Sequence, residues 1–235
     1  MHLLIKNIID PLSHLFFPQV CAGCGSDLLP EADHLLCLQC HAQLPETHFA
    51  LHANNPVEKT FWGRLSLKAA CSQYYFTKES LIQTLIHQLK YEGRKDNGLM
   101  LGRLMGQSLL QSGRFGNIDA VVPLPLFADK EKRRGYNQSL LLSEGIAEIL
   151  CVPVTKNAVS RIRYTETQTK KSRPERWQNV AGGFMAIQPG LLENKKVLLV
   201  DDVITTGATL EACGSVMLNI QGIELFIATL AYASQ

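Results

Sequence analysis

Two short stretches of this 235-residue chain gather side chains whose types and spacing do chemistry rather than packing. The first is Cys21, Cys24, Cys37 and Cys40, spaced C-x2-C-x12-C-x2-C. Each C-x-x-C pair closes a tight turn that aims two thiolates at one point. Two such turns make a tetrahedral sulfur cage of the size zinc prefers. Gly23 and Gly25 suit knuckle turns, which need backbone freedom near positive φ. With four thiolates bound, no position is left for water or substrate. The expected role is therefore structural, holding together a short module with little core of its own. Paired disulfides, redox dithiols and an iron–sulfur cluster compete for the same spacing, and His14, His34 or His41 could replace a ligand. Cys71, Cys151 and Cys213 stand singly in apolar surroundings and are expected to be buried small hydrophobes.

The second stretch is residues 197–209, VLLVDDVITTGAT. It reads as an apolar strand, two adjacent carboxylates, a Thr-Thr-Gly turn and the start of a helix. In open α/β sheets, ligands bind beyond the carboxyl ends of the strands. Gly207 lets the turn approach an anion closely, and a helix N-terminus offers unpaired N–H groups and a favourable dipole. Thr205, Thr206 and Thr209 add hydroxyl donors, so the turn suits a phosphate monoester. Asp201 and Asp202 accept hydrogen bonds and suit vicinal sugar hydroxyls. Phosphate plus diol points to ribose 5-phosphate. The bland alternative is a strand end followed by a helix cap.

These groups need a scaffold, and the rest of the pattern supplies one. Residues 1–18 carry apolar side chains at helical spacing, best read as packing against the main domain. The cysteine module, with that helix, takes residues 1–45, and the polar residues 46–65 are expected to be a linker. From residue 66 to 235, strands alternate with helices. Strands are expected at 67–76, 118–122, 152–159, 197–200 and 223–231; helices are expected at 81–89, 99–110, 139–150 and 209–219. Such alternation argues for α/β architecture, a mainly parallel sheet with flanking helices.

The composition, 46% hydrophobic and 19% charged, excludes a disordered chain, and the absence of a long apolar run argues against stable membrane insertion. Lys6, Asp10 and His14 interrupt the apolar start and no small-residue cleavage site follows, so a cytoplasmic location is expected. The formal net charge of +2 is an average. Residues 156–176 hold seven basic and two acidic side chains, a local net charge of +5. Tyr136, Tyr164 and Trp177 are interleaved with this run and with the basic residues 130–134. Cations neutralise backbone phosphates and aromatics stack on unpaired bases, so single-stranded DNA is one expected partner of this surface. A flap that only screens a small phosphorylated ligand, or a plain solvated loop, are the competing readings.

The 197–209 stretch resembles the motif that binds 5-phosphoribosyl 1-diphosphate (PRPP) in type I phosphoribosyltransferases. Residues 121–126 (VVPLPL), residues 134–138 (RGYNQ), Arg161 followed by Gln168, Arg173 and Asn179, and the Asp-Asp motif occur in an order similar to the ComF (ComFC, GntX-like) family. With the four cysteines and the run Lys90-Tyr91-Glu92-Gly93, the likeness spans most of the chain. The resemblance implies a zinc finger joined to a phosphoribosyltransferase-type domain. It also implies a role in natural transformation, handling incoming single-stranded DNA with a helicase-like competence ATPase. Carried onto this chain, it assigns the ribose hydroxyls to Asp201 and Asp202, and the 5-phosphate to Thr205, Thr206, Gly207, Ala208 and Thr209. The loop after Pro125, with Arg133, Arg134, Gly135 and Asn137, falls where this fold binds diphosphate. Arg161, Arg163, Lys170, Lys171, Arg173 and Arg176 fall on the flap that closes over substrate, or on the DNA. The alternative implied function is an active phosphoribosyltransferase in nucleotide salvage or metabolism, using PRPP with Mg2+. No residue set for a particular acceptor is recognisable.

Overall fold

The computed structural model describes residues 20–27, 29, 35–162, 180–181 and 183–233. The helix expected over residues 1–18 lies outside them. The chain divides into two compact units, Met1–Leu44 and Pro45–Gln235.

In the first unit, the Cys21 N–H donates to the Ser26 carbonyl at 2.7 Å, and the Gly25 N–H returns to the Cys21 carbonyl at 2.9 Å, closing the first knuckle. The second knuckle opens helix α1, Leu38–Ala42, whose N-cap is Cys37. Such a five-residue helix has no stability of its own.

The second unit is built on a four-stranded sheet of β1 (Ala69–Tyr75), β2 (Ala120–Pro123), β6 (Lys196–Ile204) and β7 (Glu224–Tyr232). Its order is β1-β7-β6-β2, and every pairing is parallel. Val197, Leu198, Leu199 and Val200 of β6 are fully buried. A parallel sheet covered on both faces demands such a continuous apolar run. Helices α3 (Leu81–Tyr91), α4 (Lys95–Ser112), α6 (Gln138–Leu150) and α7 (Ala208–Leu218) flank it. Helices α4 and α6 meet backbone to backbone. A methyl group on Gly102 would lie 2.3 Å from the Leu142 carbonyl oxygen, and one on Gly145 would lie 2.3 Å from that of Leu99. Only glycine fits at this crossing.

Three expectations change. The strand expected at 152–159 is a single parallel bridge, Val154 to Val121, after which the chain turns away. Lys156 and Asn157 form that turn, and β3 (Val159–Arg161) then joins a separate antiparallel sheet, β3-β5-β4, with β4 at Val180–Ala181 and β5 at Phe184–Ala186. Residues 46–65 are not a linker but part of the second unit. Asn55 and Pro56, which look like turn residues, are the N-cap and first residue of helix α2, Pro56–Thr60. Asn55 is buried, and its Nδ2 donates to the carbonyls of Ala70 at 2.8 Å, His52 at 3.0 Å and Phe49 at 3.2 Å. Upstream, the Thr47 N–H donates to the Gln73 carbonyl at 2.9 Å, so this segment covers the outer edge of β1. Finally, Cys151 is exposed at the C-terminus of α6, whereas Cys71 and Cys213 are buried as expected.

Among the described residues, no helix is long and apolar enough to cross a membrane.

Candidate functional site

The two carboxylates sit near the end of β6, which runs four residues past its buried apolar core to Ile204. Successive strand side chains point to opposite faces, so Asp201 and Asp202 acquire different surroundings. Asp201 turns toward α6, where the Ser139 hydroxyl donates to its Oδ1 at 2.9 Å, and the Asp202 N–H donates to the same oxygen at 2.8 Å. Burial, reinforced by the charge of Asp202, raises the Asp201 carboxyl to about 7, against the opposing pull of those hydrogen bonds and of Lys90. Asp202 instead forms an ion pair with Lys90, whose Nζ lies 2.7 Å from its Oδ2. Lys90 comes from the last turn of α3. Sequence reading named the stretch around it without giving it a role at the site. The available signal was a lysine in the last turn of an amphipathic helix, three residues before a glycine.

Beyond the carboxylates the chain makes the Thr-Thr-Gly turn. Thr205, Thr206 and Ala208 are exposed and Thr209 is half-buried. Gly207 has φ +73° and caps the N-terminus of α7, so a side chain there would be strained. The Ala208 N–H points at the Thr206 hydroxyl at 3.4 Å. The back of the turn rests on the segment expected to be a linker. A methyl group on Gly207 would lie 2.9 Å from a ring carbon of Phe61 and 3.0 Å from Thr60 Cγ2. Arg64 donates to the Thr206 carbonyl at 3.2 Å and pairs with Glu211 on α7. These contacts fix the turn so that its outer face and the helix N-terminus stay open, an arrangement suited to an anion.

Arg133 and Arg134 do not lie on a loop. They end a short helix, α5 (Ala128–Arg134), closed by Gly135 in the left-handed conformation. Lys132, Arg133 and Arg134 fall in its last turn and complement the helix dipole. Lys90, Tyr91, Gly93, Arg133 and Arg134 line a cleft of ≈ 380 Å³. The Arg134 guanidinium lies 5.6 Å over the Tyr91 ring and donates to Gln138 Oε1 at 2.7 Å. Tyr136 donates its hydroxyl to the Leu89 carbonyl, tying α3 to the chain that follows α5. Asn137, expected beside the diphosphate, is buried and already engaged. Its Nδ2 donates to the Leu124 carbonyl at 2.9 Å, and its Oδ1 accepts the Ser139 N–H at 3.0 Å. It fixes the N-terminus of α6, and with it Ser139.

Arg161, expected on the flap, ends β3 with its guanidinium 4.0 Å from the Phe127 ring centroid and 5.0 Å from that of Phe184. Burial lowers its pKa and the neighbouring charge of Asp201 raises it. Arg161 is therefore a stacked, half-buried wall of a second cleft of ≈ 540 Å³, shared with Pro125, Asn157, Ser160 and Gln188. Arg163, Lys170, Lys171, Arg173 and Arg176 lie outside the described residues.

In the first unit, the sulfurs of Cys21, Cys24, Cys37 and Cys40 all lie within 4.8 Å of one another. Tetrahedral zinc with Zn–S bonds of about 2.3 Å requires sulfurs about 3.8 Å apart. The Cys24 and Cys37 sulfurs are 3.8 Å apart. Burial pushes the Cys21 thiol up, but N–H groups of Cys24, Cys37 and Gly23 prevail and bring it down to about 6. The residues present thus fit a zinc ion held by four thiolates; His41 does not join the described cluster, and His14 and His34 lie outside the described residues.

Residues 137–235 match the model of the phosphoribosyl transferase domain. The chain is 28% identical over 216 residues to competence protein F of Haemophilus influenzae, covering 90% of this chain and 89% of that one. It is 31% identical over 204 residues to the DNA utilization protein YhgH of Escherichia coli K12, covering 85% and 84% respectively. Among solved structures, the chain is similar to a glutamine PRPP amidotransferase from B. subtilis, with 21% identity, a TM-score of 0.41, and coverage of 60% of this chain and 30% of that one. The relatives match across both units, and this chain belongs to the ComF family of competence proteins, with a four-cysteine module and a phosphoribosyltransferase-type α/β domain.

Proposed function

We propose that this chain is a ComF-type competence protein that handles single-stranded DNA during natural transformation, and that its α/β domain holds a ribose 5-phosphate group, as in PRPP. The competence role follows from the relatives named competence protein F and DNA utilization protein. One observation carries the ligand reading. The open turn at Thr205–Gly207, the Asp201–Asp202 pair and the Lys90–Arg133–Arg134 cleft follow one another around the carboxyl end of β6. That succession of anion site, hydroxyl acceptors and cations matches the phosphate, diol and diphosphate of PRPP in chemistry and in order. The protein works in the cytoplasm, beside a helicase-like ATPase that delivers the strand. Zinc holds the first unit.

The second reading is a transferase. Asp201 and Asp202 would order the ribose. A nucleophilic nitrogen of the acceptor would bond to C1 as the C1–O bond breaks through an oxocarbenium-like transition state, and diphosphate would leave with the electron pair. Lys90, Arg133 and Arg134 would meet the charge of the departing diphosphate. Mg2+ would travel with the diphosphate and help neutralise it. The second cleft, with Asn157, Ser160 and Gln188, offers hydrogen-bonding groups for an acceptor.

Two assays separate the readings. Diphosphate release from PRPP is measured across a panel of bases and amines, for the wild-type chain and for Asp202→Asn. Turnover that the substitution abolishes supports the transferase; PRPP binding without turnover supports the binding role. A titration of single-stranded DNA, with and without PRPP, tests the DNA-handling role, and absence of binding at low salt by folded protein removes it.

A further inference from the structure

The face that joins the carboxyl ends of α3 and α5 carries a combination found at neither end alone. Tyr91, the last residue of α3, is 64% exposed. The Arg134 guanidinium lies over that ring, and Lys95 lies 5.3 Å over the ring of Tyr136. Arg133 is exposed beside them, and Lys90 reaches in from below to Asp202. The His87 ring packs 4.9 Å from that of Tyr91 and holds Glu92 at 3.1 Å, while Glu131, although on α5, lines the other cleft. The result is an aromatic platform rimmed by cations.

We propose that this face is a binding track for single-stranded DNA, with a base stacked on Tyr91 and the flanking phosphates on Arg133, Arg134 and Lys95. The inference deepens the DNA-handling reading and rests on it. It places the strand on α3 and α5 instead of relying on the basic run at 163–176. Unpaired strands are recognised by this pairing of sequence-tolerant stacking and backbone neutralisation. Trp62 supplies an internal comparison. It is 60% exposed with Lys59 at 5.9 Å, but the nearby Arg64 is occupied by Glu211 and the Thr206 carbonyl. Exposure alone does not make a track. The strand and PRPP diphosphate also draw on the same cations, Arg133 and Arg134, so the two ligands exclude one another.

The test is fluorescence anisotropy of a labelled 20-mer of deoxythymidine with the full zinc-loaded chain, across a salt series. Tyr91→Ala is expected to weaken binding about tenfold, with Tyr91→Phe restoring it, because the base loses its stacking platform. Arg133→Ala is expected to reduce the slope of log K against log salt by about 0.7, the loss of one phosphate contact on a single strand. Trp62→Ala is expected to leave affinity unchanged. Inorganic diphosphate is expected to displace the strand more effectively than sulfate at matched ionic strength. Both ring positions are solvent-facing, and thermal unfolding checks that each variant is folded. Wild-type binding that survives Tyr91→Ala and Arg133→Ala overturns the track while leaving the DNA-handling reading standing. A wild-type chain that binds no strand at low salt overturns both.

Discussion

In the cysteine unit the buried apolar residues among those described are Cys21, Ala22, Leu36, Cys37, Cys40 and Leu44, so half of that described core belongs to the candidate metal cluster. In the α/β unit the core is β6 and β7 with the helices on either side, and the polar site lies at the rim, where β6 leaves that core. The polar groups of the first unit are thus its fold, whereas those of the second are carried by a fold that stands without them. Removing chemistry should unfold one unit and leave the other intact.

The largest effect belongs to the proposed zinc. Structural zinc sites bind with apparent free energies of about 10–16 kcal/mol, far more than so small a core supplies. Chelation, or Cys37→Ser, is expected to abolish hydrogen-exchange protection across Cys21–Cys40 while β6 and β7 stay protected. Retained protection without metal would break the comparison from one side. Leu199→Ala tests the other side. Leu199 is fully buried in β6, and its truncation is expected to cost about 2–5 kcal/mol, seen as a lower Tm of the α/β unit with zinc content unchanged.

Smaller effects sharpen the distinction at the rim. Gly207→Ala forces a side chain to φ +73° against Phe61, at a cost of about 1–2 kcal/mol for the left-handed backbone. PRPP affinity is expected to fall further than this stability loss implies, because the turn itself shifts; calorimetric titration beside thermal unfolding reads both. A further effect is that of pH. The Asp201 carboxyl titrates near 7 in the folded chain, above its ordinary value, with Asp202, Lys90, Arg161 and Cys213 as its charged or titratable neighbours. The folded state therefore holds this proton more tightly than the unfolded state. Its contribution to stability is full below about pH 4 and is lost as pH rises through about 7. Asp201→Asn is expected to flatten the fall in Tm between pH 5 and 8 relative to wild type, and an unchanged pH profile would contradict the assignment.

The parts of this site legible in the sequence are those whose groups are neighbours in the chain. The apolar run, the two aspartates and the Thr-Thr-Gly turn lie within one strand–turn–helix passage, and the cysteines announce themselves by spacing. The parts that were not legible join distant segments. Lys90 meets Asp202 across the sheet edge, and Arg64 meets Thr206 at a separation of 142 residues. Asn55 and Asn137 show a second limit. Both look like solvent-facing loop residues, yet each is buried and satisfies backbone groups that a turn would otherwise leave unpaired. Composition also cannot show that Arg161 is stacked between two phenylalanines rather than free to follow a phosphate.

Calorimetric titration of PRPP into the full zinc-loaded chain, wild type beside Asp202→Asn, tests the central reading most directly. The account predicts saturable binding by wild type and at least about tenfold weaker binding by the variant, the loss of hydrogen bonds to a charged acceptor, with cooperative thermal unfolding showing that the variant is folded. A folded wild-type chain that binds no PRPP, or a variant that binds it equally well, would contradict the assignment of the β6 rim as a phosphoribosyl site.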